Sequence, residues 1–259
     1  MSRSPRYSIL FATLVLLFCG ALNAARADAG ERRYAALSLI GDVLTVVTYQ
    51  PQVGSRLNKN KLDRLEVKEA ALDRTALKAL DAALGRNDAK ASVVLLAARA
   101  PAMFENQDHL FAKGNFVLPP ELATPLAQSR ATHLLLLTKH RGETRVVVDG
   151  LSYGSGRLEG LGFYLDDGVT TKASQTGEEG LGLIAPFAYF RASLIDLASM
   201  RVLASEVITR TEGISGALAK QGYGAWQALG EEAKVALLAK LLDVELERVV
   251  PALTKPARN

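Results

Sequence analysis

From residue 131 to residue 210 the chain reads as one strand after another, and this run limits the fold more than any other feature. "ATHLLLLTK" and "TRVVVDG" are apolar, β-branched segments that face each other across "HRGE", which predicts a hairpin. "LEGLGFYLDD" predicts a third strand. Beyond a loop rich in Gly, Thr and Glu, "APFAYFRASLID" and "RVLASEVITR" are joined by only four residues, "LASM", which predicts a second hairpin. Short connections favour antiparallel neighbours, because a parallel pair needs a long crossover.

Helical signals lie on either side of this run. Residues 73–84 place Leu77, Leu80 and Leu84 on one face, with Asp73 as the predicted N-cap and Gly85 as the predicted stop. "ELATPLAQSRA" follows Pro119-Pro120 and contains Pro125, a candidate kink. At the carboxyl end Val235, Leu238, Leu242, Leu246 and Val249 form one apolar stripe, with Pro251 as the predicted terminator. "ASVVLLAA" predicts a short buried strand, and residues 99–120 show no period. The fold class expected is α+β (mixed α/β): a largely antiparallel sheet with packing helices, one of them long and C-terminal.

Near the start, residues 34–40 and 43–49 are apolar runs flanking Gly41-Asp42. A Gly-Asp pair between two such runs predicts the turn of a hairpin, with Gly41 supplying positive φ. "GDV" also resembles the first block of the serine hydrolases that begin Gly-Asp-Ser. Val43 stands where their nucleophile would be, so that chemistry is absent.

The first 27 residues have the pattern of an export signal. Arg3 and Arg6 precede the apolar run "YSILFATLVLLFCGAL", and "AARA" offers a cleavage site after Ala27. The alternative is an anchor left uncleaved, although the run is short for a membrane span. Phe18 ahead of Cys19 does not suit a lipoprotein signal. The domains expected are therefore a signal peptide, 1–27, and one exported domain, 28–259, in the periplasm, with no integral membrane span in the mature chain. Cleavage removes three arginines and no acid, lowering the formal charge from +4 to +1 and taking away the only cysteine. A nucleic-acid partner thereby loses its electrostatic support, and thiol chemistry is lost with the cysteine. With 49% hydrophobic residues the 259-residue chain suits one sizeable domain, or two small ones, with a real core.

No motif implies a cofactor or a metal. His109, His133 and His140 show no helical metal-ligand spacing, and His133 and His140, seven apart along a strand, point to opposite faces. "GLSYG" matches G-x-S-x-G around Ser152. That motif needs a following helix and a downstream histidine, and "GSGRLEGLGF" offers neither. The glycines Gly154, Gly156 and Gly160 lack the helix that a phosphate loop requires. Arg56, Lys59 and Lys61 form a charged loop suited to a small anionic contact. Residues 150–182 gather the best binding candidates on connections: Tyr153, Arg157, Tyr164, Asp166 and Asp167, with Glu178 and Glu179 beside them. A catalytic alternative uses Asp42 with Asp166 or Asp167 as an acid–base pair, which requires them to share a cleft.

The strand, turn and strand over residues 131–210, with Leu194, Asp196, Val202, Leu203 and Ser205 at the second hairpin, resembles the curli-secretion lipoprotein and TolB amino-terminal-domain-like superfamily. That resemblance implies an α/β envelope domain that acts by binding or assembly, without catalytic residues to carry over. The function expected is a non-catalytic envelope binding or assembly factor whose partner is an envelope protein or a glycan or lipid surface. The rivals are a carboxylate-dependent periplasmic hydrolase and a structural or stress-related secreted protein.

Overall fold

A computed structural model describes residues 32–51, 60–148, 150–172, 177, 179–215 and 225–255. The expected signal peptide with its cleavage site at Ala27, the loop residues Arg56 and Lys59, and Glu178 lie outside the described residues.

In chain order, β1 (Arg33–Leu39), β2 (Val43–Thr48) and β3 (Lys61–Glu66) lead to helix α1 (Ala71–Asn87) and strand β4 (Ser92–Leu96). Two 3-10 turns and a small hairpin, β5 (Phe111–Ala112) and β6 (Asn115–Phe116), precede helix α2 (Pro120–Ser129). Next come β7 (His133–Lys139), β8 (Arg141–Glu143), β9 (Val146–Val148), β10 (Leu151–Tyr153), β11 (Arg157–Lys172), β12 (Glu179–Asp196), β13 (Val202–Thr211) and β14 (Ile214–Ser215). Helices α3 (Ala225–Ala228) and α4 (Glu231–Thr254) follow.

Strand β12 is the spine of a ten-stranded sheet. One of its edges pairs with β13 and then β14. The other edge pairs with two strands in succession: β7 along residues 190–196, and β11 along residues 179–189. Strands β7 and β11 are therefore laid end to end. The next row repeats this arrangement, with β1 parallel to β7 and β2 parallel to β11. Beyond them, β4 lies parallel to β1, and β3 antiparallel to β2.

This register corrects the hairpin expected at Gly41-Asp42. Strands β1 and β2 do not pair; the chain runs on through residues 40–42, changing partner from β7 to β11. Gly41 is needed there for space, not for positive φ. A Cβ on it would lie 2.6 Å from the Asp73 backbone nitrogen and 2.7 Å from Leu72 Cβ. The expected pairing across "HRGE" is also replaced: β7 goes to β12 and β1, β8 goes to β11, and β9 pairs with β10. The β12–β13 hairpin is present as expected. The sheet is mixed, since β1–β4, β1–β7 and β2–β11 are all parallel, so "largely antiparallel" holds only in part.

One face of the sheet is covered by α1 and α4, with Trp226 beside them, over a single core running from Tyr34 and Leu135 to Phe163 and Ile184. Helix α1 buries Leu72, Ala76, Leu80 and Ala83, and α4 buries Leu238, Leu242, Leu246 and Val249, the helical spacing seen in the sequence. Val235, expected on that stripe, is exposed. Helix α1 runs through Gly85 to Asn87, and Pro251 lies inside the last turn of α4.

The opposite face carries two separate cores. Ala35, Leu37, Leu134 and Leu136 pack under α2 and the segment around Met103 and Phe116. Val47, Tyr164, Phe187 and Tyr189 pack under Val146 and Val148 of β9. Strands β1 and β7 are buried on both faces, which is why they read as continuous apolar runs.

Candidate functional site

The gap between those two cores lies over the β1–β2 and β7–β11 junctions, and there the surface is hollowed into a cleft of about 450 Å3. A second hollow of about 250 Å3 adjoins it on the far side of Lys139 and Arg141.

Beside the cleft, two side chains take up backbone groups at the junction. Gln107 serves one side: its Nε2 donates to the Leu39 carbonyl at 2.7 Å, and its Oε1 accepts from the Lys139 N–H at 2.7 Å. Asp73 serves the other side, reaching across from the first turn of α1. Its Oδ1 accepts the Ile40 N–H at 3.1 Å, the Gly41 N–H at 3.0 Å and the Ser38 hydroxyl at 2.5 Å. Asp73 is thus not the N-cap that the sequence predicted; Ala70 holds that position without a side-chain cap. Its side chain is spent on the junction, where three buried donors would otherwise go unpaired. Burial pushes the Asp73 carboxyl above the usual range, against the pull of Ser38 and the two backbone N–H groups.

Asp42 and Lys139 meet at the lip. Lys139 Nζ lies 2.6 Å from Asp42 Oδ1 and 3.3 Å from the Phe104 carbonyl, with the two side chains only 18% and 27% exposed. Gly160, at φ +71°, starts the part of β11 paired to β12, and a Cβ on it would lie 3.6 Å from Lys139 Cγ. Around Lys139 the walls carry Arg64, Arg141 and Arg157 against Glu105 and Glu159. Arg141 and Glu159 are direct cross-strand partners. In the adjoining hollow, burial and then Arg191 hold His140 below its ordinary pKa, with Glu159 and Asp108 pulling the other way.

The structure does not bring all the residues predicted from sequence together. Asp42 and Arg157 line the same cleft. Tyr164 is fully buried in the core beneath β9, where desolvation pushes its phenol up to about 12 while the Ser155 backbone lowers it. Tyr153 packs half-buried on the edge of that core. Asp166 is buried and accepts the Gly168 N–H at 3.0 Å, as a turn-forming aspartate does. Asp167 faces a different groove, with Lys61 and Trp226. Glu179 is exposed at the start of β12. The register puts Asp42 level with Glu159, seven residues from Asp166. At about 3.3 Å per residue that is roughly 20 Å, twice what an acid–base carboxylate pair can span. Ser152 lies in β10, which continues as extended chain rather than helix. Among the described residues no three His, Cys, Asp or Glu side chains are gathered for a metal ion.

Sequence reading missed Lys139 as part of this site, and Gln107 and Asp73 as the side chains that hold the junction beside it. Lys139 had only its place at the end of a strand to mark it. Gln107 lay in a stretch without periodicity.

No family model matches the chain, and no curated protein matches it significantly. Among solved structures, the chain is similar to a Xanthomonas campestris protein of the DUF330 family, at 13% identity over 86% of this chain and 83% of that one, with a TM-score of 0.39. It is similar to a PelC dodecamer subunit from Paraburkholderia phytofirmans at 10% identity, over 88% and 90% of the two chains, with a TM-score of 0.33. A putative neuraminyllactose-binding hemagglutinin homolog from Helicobacter pylori matches at 9% identity, over 86% and 90%, with a TM-score of 0.37. Among the described residues no helix is long and apolar enough to cross a membrane.

Proposed function

We propose that the protein is an exported periplasmic factor that binds in the cell envelope without catalysing a reaction, and that the junction cleft is its binding site. The observation that carries this reading is the set of four cations, Arg64, Lys139, Arg141 and Arg157, against three carboxylates, Asp42, Glu105 and Glu159, around one concave opening on the incompletely covered face of the sheet. Lys139 is oriented by Asp42 and the Phe104 carbonyl, while Arg141 and Arg157 reach into solvent. Such an arrangement suits an anionic group on a partner protein, a glycan or a lipid surface. The sequence of the β12–β13 hairpin, with Leu194, Asp196, Val202, Leu203 and Ser205, carries the resemblance to the curli-secretion and TolB-like envelope domains on which this reading also draws. Export rests on the sequence of residues 1–27, and the mature chain is expected to begin at Asp28.

A photo-crosslinking amino acid placed at Arg157 in cells tests this, with Asp81 on the exposed side of α1 as the control position. Discrete envelope adducts are expected from position 157 and not from 81. Equal labelling from both positions, or none from either, would overturn the reading.

A further inference from the structure

We infer that β4 is a docking strand for a second copy of this chain, which pairs with its own counterpart antiparallel about a two-fold axis at Val94. Among the described residues five strands of the sheet have a single partner strand, and the three longest of them, β3, β4 and β13, are defended unequally. Strand β3 reads "KLDRLE", with four charges in six residues, and β13 carries Glu206 and Arg210. Strand β4 reads "SVVLL", and no charged residue, glycine or proline occurs between Lys90 and Arg99. Charges and prolines are what usually keep a free edge from pairing with another chain. The sequence predicted a buried strand here; instead Val94 and Leu95 are 40% and 44% exposed, because β1 is the only strand paired to β4 among the described residues.

The ladder shows which backbone groups are free. The Ser92 N–H donates to the Arg32 carbonyl, so Ser92, Val94 and Leu96 turn their backbone groups toward β1. Alternation turns the N–H and C=O of Val93 and Leu95 outward. A two-fold axis at Val94 sets Val93 opposite Leu95 of the second copy, and the reverse. Both pairs then exchange both hydrogen bonds, using every outward group of the strand. Val94 meets Val94 as the close, non-hydrogen-bonded pair at the axis. The same register puts Lys90 opposite Ala98 and Arg99 opposite Ala89, so no like charges face each other. In this register Val93 meets Leu95 and Val94 meets Val94, apolar against apolar with no charge opposed, so a second copy satisfies the edge, and a two-fold contact closes after two chains.

The test is sedimentation velocity on the chain over a wide concentration range, where a monomer–dimer equilibrium is expected. Leu95→Pro removes only an outward N–H and is expected to abolish the dimer while leaving the far-ultraviolet circular dichroism unchanged. Val94→Lys sets two ammonium groups against each other and is expected to do the same. In a Cys19→Ser background, Val94→Cys is expected to form an intermolecular disulfide on mild oxidation, since the paired Cα atoms lie about 4.5 Å apart. Ala97→Cys, which faces Ala91, is not. A monomer at every concentration overturns the proposal, as does a dimer that survives Val94→Lys or one that cross-links through position 97 rather than 94.

Discussion

The two faces of the sheet show how differently one set of strands can be covered. On one face α1 and α4 lie across both strand rows and bury a single core that ignores the break between β1 and β2. On the other face, α2 with its neighbouring turns covers one half and the β8–β10 excursion covers the other. The junction that is sealed on the first face is open on the second, and the cleft forms there. A break in strand pairing becomes a site only where no element spans it. On the helical side the same break is closed by Gly41, which lets α1 approach, and by Asp73, which takes up the loose donors.

Substitutions can test this contrast. The largest effect is expected from Gly162→Ala on β11, where a Cβ would lie 1.9 Å from the Thr45 carbonyl oxygen and 2.6 Å from Phe187 Cζ. Neither neighbour can retreat, because the first is backbone of the adjacent strand and the second is core. A loss of about 4 kcal/mol or more in unfolding free energy is expected from denaturant titration.

Next comes Asp73→Ala, which orphans the Ser38 hydroxyl and the Ile40 and Gly41 N–H groups together. A cost of about 2–4 kcal/mol is expected by urea unfolding. Asp73→Asn keeps the accepting oxygen and is expected to cost far less. The two variants separate hydrogen bonding from charge, because the Asp73 carboxyl is raised above its unfolded value of 3.8 by burial. Below 3.8 it is neutral in both states. As pH rises from there through the raised folded value, the unfolded chain ionises first and stability is lost, then levels off. Asp73→Asn is expected to remove that fall, seen as a flatter stability profile on the acid side.

Core truncations should divide the two faces. Leu242→Ala, in the continuous core, is expected to cost about 2–4 kcal/mol and to loosen amide protection in both halves of the sheet. Leu126→Ala, on the buried side of α2, is expected to cost about 2–3 kcal/mol, with the loss of protection confined to the α2 side. Hydrogen exchange reads both, and an equal spread from the two variants would contradict the division. The smallest effect is expected from Lys139→Met at the lip. The pair with Asp42 is partly open to water, so the loss is about 1 kcal/mol or less by the same unfolding assay.

Much of the fold was legible because it is written in local pattern. The α4 stripe, the α2 segment after two prolines, and the β12–β13 hairpin with its four-residue link all follow from periodicity and turn length. Gly41-Asp42 misled because a turn and a straight junction share the same local signature of small and polar residues between apolar runs. Only the partners of those runs distinguish the two, and the partners come from residues 133–139 and 161–165, far along the chain. The same reason hid Asp73. Two residues into a helix, its chemistry suited a cap, and its actual partners lie 32 to 35 residues away in sequence. Strand β4 looked buried because apolar composition does not reveal whether a second neighbour exists.

Composition and periodicity determined the mixed α and β class, helices α1, α2 and α4 and the long apolar strand segments of this protein, since each depends on interactions within a few residues; the charged strand β3, whose Lys61 reads as loop, was not among them. The order of the strands, the end-to-end rows along β12, the burial of Tyr164 and the meeting of Asp42 with Lys139 were decided by the tertiary structure alone. Those features depend on which distant surfaces exclude water together, and no short window of sequence contains both members of such a pair.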